Sequence, residues 1–511
     1  MYFVGSGLIL ATVYLVGFVL NFMSTRYHWQ IAKITALLAL LISFLFPLVQ
    51  WITTGSMGPL ASVIMGALVS VLGWVIINYS ARYLEGEPRE ALFIRSMIFT
   101  IGSVLTLIST TNVLFLALAW SGSSISLHYL LTYYNERKEG QVVAHKKFIV
   151  NRLAELCLLV ALILLYRDIG SLSITDINKA LAEMGNLNAP LQFAAALFAL
   201  AAILKSALLP LHGWLIQVME APTPVSALLH AGVVNMGGYI LIFMATLIEM
   251  SAPAQTLLVV FGAISAVLAG WVMMTRVSIK VRLAWSTCAQ MGFMLMEIGL
   301  GLYELAFLHL VAHSLYKAHA FLAAGDAVKQ AQSKDYTNRG TVPKGIIMSV
   351  LVSAVIVFAS LILWQFWLDS FYLAKEVIVI LTLGLAPLVW YQGFFSTPLF
   401  TVGVFRILAL TNLYFVWHTL FSAVTPTTVT DSYLQLLWIV ICFGLLYAVQ
   451  VAIVKYPDGR LLKRIYPWIY YGFYLDETFT RLTFKIWPLK LSPVQAETKV
   501  NRRSHTSGDT A

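Results

Sequence analysis

From residue 2 to residue 454 the chain is a succession of fifteen apolar stretches, each about as long as a helix needs to cross a bilayer. They begin with 2–22, 31–51 and 58–80 and end with 376–396, 400–424 and 433–454. Hydrocarbon satisfies no peptide group, so only helices and closed barrels span it. A barrel strand needs only about ten residues, whereas these stretches run to about twenty. The sequence therefore predicts an all-α, polytopic membrane bundle of about 13–15 transmembrane helices. Charged residues make up 11% of the chain, against roughly 25% in soluble domains. We accordingly read residues 1–455 as one transmembrane domain. Residues 456–490 interleave aromatics with Arg460, Lys463, Arg464, Arg481 and Lys485. That mixture suits an amphipathic segment lying on anionic lipid headgroups, or one docking on a partner subunit. Residues 491–511 read as a polar, disordered tail.

The basic residues fix an orientation. Most of the 33 lysines and arginines fall in joints on one side of the bundle, among them Arg26, Lys33, Lys146, Lys147, Arg276, Lys280, Lys329 and Lys344. The positive-inside rule then places the N-terminus outside and the C-terminal tail in the cytoplasm. It also accounts for the net charge of +10 without nucleic acid. Residues 1–22 lack a basic leader, which favours a retained first helix over a cleaved signal. Cys157, Cys288 and Cys442 lie in apolar stretches without metal-like spacing and read as buried structural thiols. The sequence carries no phosphate loop, dinucleotide fingerprint, paired-cysteine motif or HExxH pattern. No cofactor is expected in this chain, and any redox or ATP chemistry should reside elsewhere.

Ionisable groups at membrane depth are costly, at least ~3 kcal/mol each on insertion scales, and so point to function. Residues 203–233 hold Lys205, His212, Glu220 and His230. Pro210 lies between Lys205 and His212 and removes a helix donor there. A broken helix survives at that depth only where protein or water satisfies its backbone. Lys205 reads as a charge-storing group with His230 one relay step beyond. Glu220 is either part of that relay or a counter-ion fixing the break. His309, His313 and Lys317 recur at i, i+4 and i+8, on one helix face. Histidine passes protons near neutral pH, so this stripe is a candidate proton wire; three packing residues satisfied by backbone is the rival.

Arg152 and Glu155 can pair at i, i+3, for gating or for structure. Glu297, His128 and His418 read as structural. The run Trp120-Ser121-Gly122-Ser123-Ser124-Ile125-Ser126 is rich in hydroxyls that hold water or let helices pack closely. Segments 112–233 and 255–326 share an order of elements, which suggests inverted repeats with two broken helices. The stretches 191–213 and 303–326 are the least regular.

Several of these blocks carry a resemblance. Lys205-Ser206-Ala207, Pro210-Leu211-His212, Met219-Glu220 and Pro222-Thr223-Pro224 through His230-Ala231 resemble the signature of antiporter-like, proton-conducting subunits of respiratory complex I and Mrp antiporters. Asn151-Arg152 with Glu155, Trp285-Ser286-Thr287 with Gln290, and His309, His313 and Lys317 are similar to further blocks of that family, as is Tyr471-Gly472-Phe473-Tyr474-Leu475-Asp476. Within it the chain most resembles the DabB family, membrane subunits of bacterial inorganic carbon pumps.

The resemblance implies a proton pathway through Lys205, His230, His309, His313 and Lys317, in the bacterial cell inner membrane. It also implies a DabA-like partner, a large zinc protein related to β-carbonic anhydrases. Cation flow through this subunit would make hydration of CO2 to bicarbonate one-way, with the zinc catalysis in the partner. A subunit of a quinone-dependent dehydrogenase or of a multi-subunit Na+/H+ antiporter is the alternative. One position departs from the family: where relatives carry a glutamate after the tryptophan, this chain has Ser121. Glu155 or Glu220 is then expected to serve as the acid for Lys205.

Overall fold

The computed structural model describes residues 3–487 apart from 25, 57–58, 135, 326–344, 370, 391–396, 426–431 and 457, and not the side chains of 3–6, 219–220, 390 and 397–399. The tail expected over 491–511 lies outside these residues. Six helices come first: α1 (Phe3–Met23), α2 (His28–Thr54), α3 (Leu60–Tyr83), α4 (Glu90–Ser109), α5 (Val113–Leu131) and α6 (Lys138–Ile169). A shorter, broken set follows: α7 (Ile174–Glu183), α8 (Ala189–Lys205), α9 (Gly213–Ile216), α10 (Thr223–Ala231), α11 (Met236–Phe243) and α12 (Ala245–Glu249). Then come α13 (Ala252–Met274), α14 (Ile279–Gly299), α15 (Tyr303–Leu322), α16 (Ile346–Trp367), α17 (Lys375–Leu385), α18 (Pro387–Trp390), α19 (Thr397–Ser422) and α20 (Tyr433–Lys455). Two amphipathic helices close the described chain, α21 (Arg460–Tyr470) and α22 (Leu475–Ile486). Among the described residues ten helical spans are long and apolar enough to cross a membrane, and shorter apolar segments lie in α1 and α8. The protein is a multi-pass helical membrane bundle.

The joints explain where helices begin and end. Asn112 caps α5, its side-chain oxygen accepting from the Leu114 and Phe115 amides, and Asn188 caps α8 in the same way. Gly55 and Gly170 end α2 and α6 at φ 75° and 77°, a conformation that favours glycine. Asn112→Ala is expected to cost about 1 kcal/mol, read as a lowered unfolding temperature of the purified protein in detergent. α7 was not expected from the sequence. It is ten residues long and buries only Ile174, Ile177 and Leu181, too short and polar to register as an apolar stretch.

The broken helices lie at the centre. The span Thr223–Phe243 is 89% buried, whereas the windows in α19 and α20 are 22% and 17% buried. α8 stops at Lys205, and the chain runs outside α-helix from Ser206 to His212, with Ala207 at φ 54°. A second interruption separates α10 from α11 across Gly232–Asn235. The stretch 303–326, expected to be irregular, is instead continuous helix from Tyr303 to Leu322. α13 and α14 meet at two glycines: a Cβ at Gly262 would come within 2.6 Å of the Gly292 carbonyl oxygen, and one at Gly292 within 2.7 Å of Gly262's. Small residues allow that backbone approach.

One expectation is corrected here. Lys146 and Lys147 were placed in a cytoplasmic joint, but α6 begins at Lys138 and buries both, at 0% and 2% exposure. The apolar stretch began at 148, so sequence hydropathy hid two turns of buried helix.

Candidate functional site

Lys205, the last residue of α8, is 2% exposed, and its Nζ donates to Ser124 Oγ on α5 at 2.8 Å. Trp120 lies one turn earlier on α5, with its ring 4.8 Å from that Nζ. Lys147 on α6 donates to the backbone oxygen of the same Ser124 at 3.0 Å. One serine thus joins two buried ammonium groups. Lys147, Asn151 and Glu155 follow at i, i+4 and i+8 along α6. Arg152 donates to Glu155 Oε1 at 2.6 Å, and the Glu155 charge reaches both Lys147 and Lys205. Ser121 is half-buried on α5, and the hydroxyl that meets Lys205 belongs to Ser124.

The second cluster surrounds α15. His230 on α10 is fully buried and stacks on Phe321, with centroids 4.4 Å apart. His313 is 5% exposed, and its ring lies 6.1 Å from that of His309. Neither ring nitrogen of His230 or of His313 has a hydrogen-bond partner among the described residues. Lys317 is 1% exposed and donates to the Leu283 carbonyl at 3.0 Å and to the Ser286 hydroxyl, both on α14. Asn235 ties the second break to this helix, donating to Ser314 Oγ at 2.7 Å. His309 sits between two oxygens of α14, Glu297 Oε2 at 3.0 Å from Nδ1 and Gln290 Oε1 at 2.6 Å from Nε2. A cavity of about 470 Å³ is lined by Gln290, Glu297, His309 and Tyr414.

The first break has its own partner. His212 is fully buried, with Nδ1 3.3 Å from the Pro210 carbonyl and its ring 4.8 Å from Trp285. Beside it Lys146 donates to Asp476 Oδ1 at 2.8 Å and to Gln217 Oε1 at 3.0 Å. Gln217 Nε2 donates to Asp476 Oδ2 at 2.7 Å, closing a three-residue ring. Gly213 is required here, because a Cβ would fall on the Asp476 carboxylate. α22, which carries Asp476, thereby docks on α6 and α9. Glu220 ends the short helix Gln217–Glu220, and its side chain lies outside the described residues.

The structure therefore brings Lys205 and Glu155 into one electrostatic group, and His230, His313 and Lys317 into another. His309 belongs to the second group through His313, while Arg152 pairs with Glu155 and its charge also acts on Lys147 and Lys205. A buried polar atom without a partner costs about 1–3 kcal/mol, so four such ring nitrogens are poor static packing. Internal water bound between them would satisfy them. The arrangement can hold protons at several buried positions, with internal water to carry them between. The sequence reading gives no pathway role to Lys147, Ser124, Gln290, Glu297 or Asp476. Lys147, Asn151 and Glu155 show the same i, i+4, i+8 spacing that revealed His309, His313 and Lys317, and that signal could have found them. Among the described residues no group of three His, Cys, Asp or Glu side chains is placed to hold a metal ion.

Residues 110–397 match the family described as NADH:quinone oxidoreductase/Mrp antiporter, TM. Over 490 residues the chain is 38% identical to "Probable inorganic carbon transporter subunit DabB" of Hydrogenovibrio crunogenus, covering 93% of each. It is 36% identical to "Probable inorganic carbon transporter subunit DabB2" of Halothiobacillus neapolitanus, over 91% of this chain and 89% of that one. The solved structure of the Mrp complex from Dietzia sp. DQ12-45-1b shares the fold, with a TM-score of 0.60 at 22% identity over 98% of this chain and 59% of that one.

Proposed function

Because this chain belongs to the NADH:quinone oxidoreductase/Mrp antiporter family, and within it to the DabB subunits, we propose that it is the proton-conducting membrane subunit of an energy-coupled inorganic carbon pump. The observation that carries this reading is the run of buried titratable groups between Lys205 and His309, two of them histidines with unpartnered rings. A scaffold has no use for such groups; a conductor needs them. With the N-terminus outside and the tail cytoplasmic, protons enter near His309 and pass His313. Lys317 and His230 take them toward the centre, and Lys205 and Lys147 toward the cytoplasm. Glu155, held by Arg152, takes the part of the acid missing at Ser121. His212 and Pro210 shape the break beside Lys205, and Glu220 stands at its far end.

The partner is a DabA-like subunit that holds the catalytic zinc, and this chain is not itself an enzyme. Proton flow through the bundle makes CO2 hydration one-way by supplying free energy that the hydration equilibrium lacks. The test is the complex as purified. We expect a single partner carrying zinc, without flavin or iron–sulfur centres, and proton uptake into liposomes read with a pH-sensitive dye. His313→Ala is expected to lower that flux about a hundredfold while the two subunits still co-purify. Unchanged flux in that variant would sink the pathway, and a partner with flavin would move the chain to a dehydrogenase.

A further inference from the structure

A second buried acid lies beyond the groups already described. Glu304, in the first turn of α15, is 0% exposed, and neither carboxylate oxygen makes a hydrogen bond to another described residue. His418 on α19 brings its Nδ1 to 3.6 Å from Glu304 Oε1, while its Nε2 lies 2.9 Å from the Tyr372 carbonyl. Tyr372, in the joint before α17, is 49% exposed. His418 thus bridges a fully buried acid and a backbone group of the joint before α17. On the other side, the charges of Glu304 and Glu297 both act on Tyr414, which lines the cavity at Glu297 and His309. His418 and Glu304 form one contact, and Glu297 and His309 form another at 3.0 Å beside Tyr414.

From this geometry we infer that Glu304 and Glu297 are the proton-loading residues of the outer half, with His418 positioning Glu304. The inference deepens the conduction proposed above and rests on it. Two buried carboxylates that act on each other repel when both are ionised, and a proton taken up by either relieves that repulsion. Among the described residues, His418 and Tyr414 from α19 and Glu297 from α14 are the titratable groups that act with Glu304. A proton taken up at Glu304 passes to Glu297, which lines the cavity beside His309, and onto the His309 ring; no bond other than O–H and N–H forms or breaks. A carboxylate in a first helical turn also complements the helix dipole. That role requires a permanently ionised group near water, and Glu304 has no exposure and no hydrogen-bond donor on its carboxylate among the described residues.

The complex in oriented lipid films distinguishes the two by infrared spectroscopy. The carbonyl stretch of a protonated carboxyl should appear as the outer medium is acidified, in the wild type and equally in Lys205→Ala. It should vanish in Glu304→Gln and return in Glu304→Asp, and Glu304→Gln should carry about tenfold less proton flux. A band unchanged in both Glu304→Gln and Glu297→Gln overturns the inference, as does wild-type flux in Glu304→Gln. A band that responds to sodium at fixed pH overturns the proton assignment. Because Lys205→Ala interrupts conduction but not loading, its band decides the inference even if its flux shows the pathway itself to be wrong.

Discussion

Complexes carrying Lys205→Ala should conduct protons about a hundredfold more slowly or not at all, and cells relying on them should fail to accumulate bicarbonate. Lys205 is the buried cation where the first helix break begins, and Ser124 Oγ is its side-chain partner at 2.8 Å. A methionine in its place fills the same volume without charge, so Lys205→Met separates loss of the proton site from loss of packing. Both variants should co-purify with the partner and differ little in unfolding temperature. The departure at Ser121 makes a converse test. Ser121→Glu would place a fixed carboxylate on α5 beside the Ser124 turn, favour the charged lysine, and slow release of its proton. Flux should fall in Ser121→Glu and recover in part when Glu155→Gln is added, because the two acids would then no longer both hold Lys205. Wild-type flux in Lys205→Met would remove this lysine from the pathway.

The second large effect concerns stability. Asp476→Ala leaves the ammonium of Lys146 fully buried with only Gln217 beside it. Breaking a buried pair by removing one partner costs 3–5 kcal/mol. The Asp476 side chain is 27% exposed, which lets water reach the vacated side and lowers the expected cost to about 2–3 kcal/mol. Limited proteolysis should then cut near residue 472 far faster, as α22 lifts from α6 and α9. The double variant Lys146→Met with Asp476→Leu should recover most of the loss, since replacing both charges with apolar groups is often neutral. Equal instability in the single and double variants would show that the ion pair is not what holds the segment.

Much of this protein was legible before the structure. Each of the fifteen apolar stretches carries helix, because about twenty apolar residues leave little other choice in lipid. Lys205, Pro210 and His212 announced the first break by chemistry alone. The stripe His309, His313 and Lys317 announced its face by spacing. What stayed hidden required knowing which helices touch. Lys147 was counted among loop charges because hydropathy starts at the next residue, although its ammonium ends beside Ser124, 23 positions earlier. Glu297, set aside as structural, meets His309 across the α14–α15 joint, and His418 meets Glu304 from over a hundred residues downstream. The tail segment 456–490 was offered to lipid or to another subunit. Within it, Asp476 on α22 bonds Lys146 on α6 and Gln217 just after α9 of this same chain. Single-sequence patterns report one helix at a time, and these groups work in pairs.

The Lys146–Asp476 contact spans 330 positions of sequence, and the Gln217–Asp476 contact 259. During synthesis, all ten apolar spans found among the described residues are made before the acid that neutralises Lys146. Until those final residues emerge, the nascent bundle carries an uncompensated cation beside its central unwound segment. A chain truncated before residue 476 is therefore expected to remain loose at that corner.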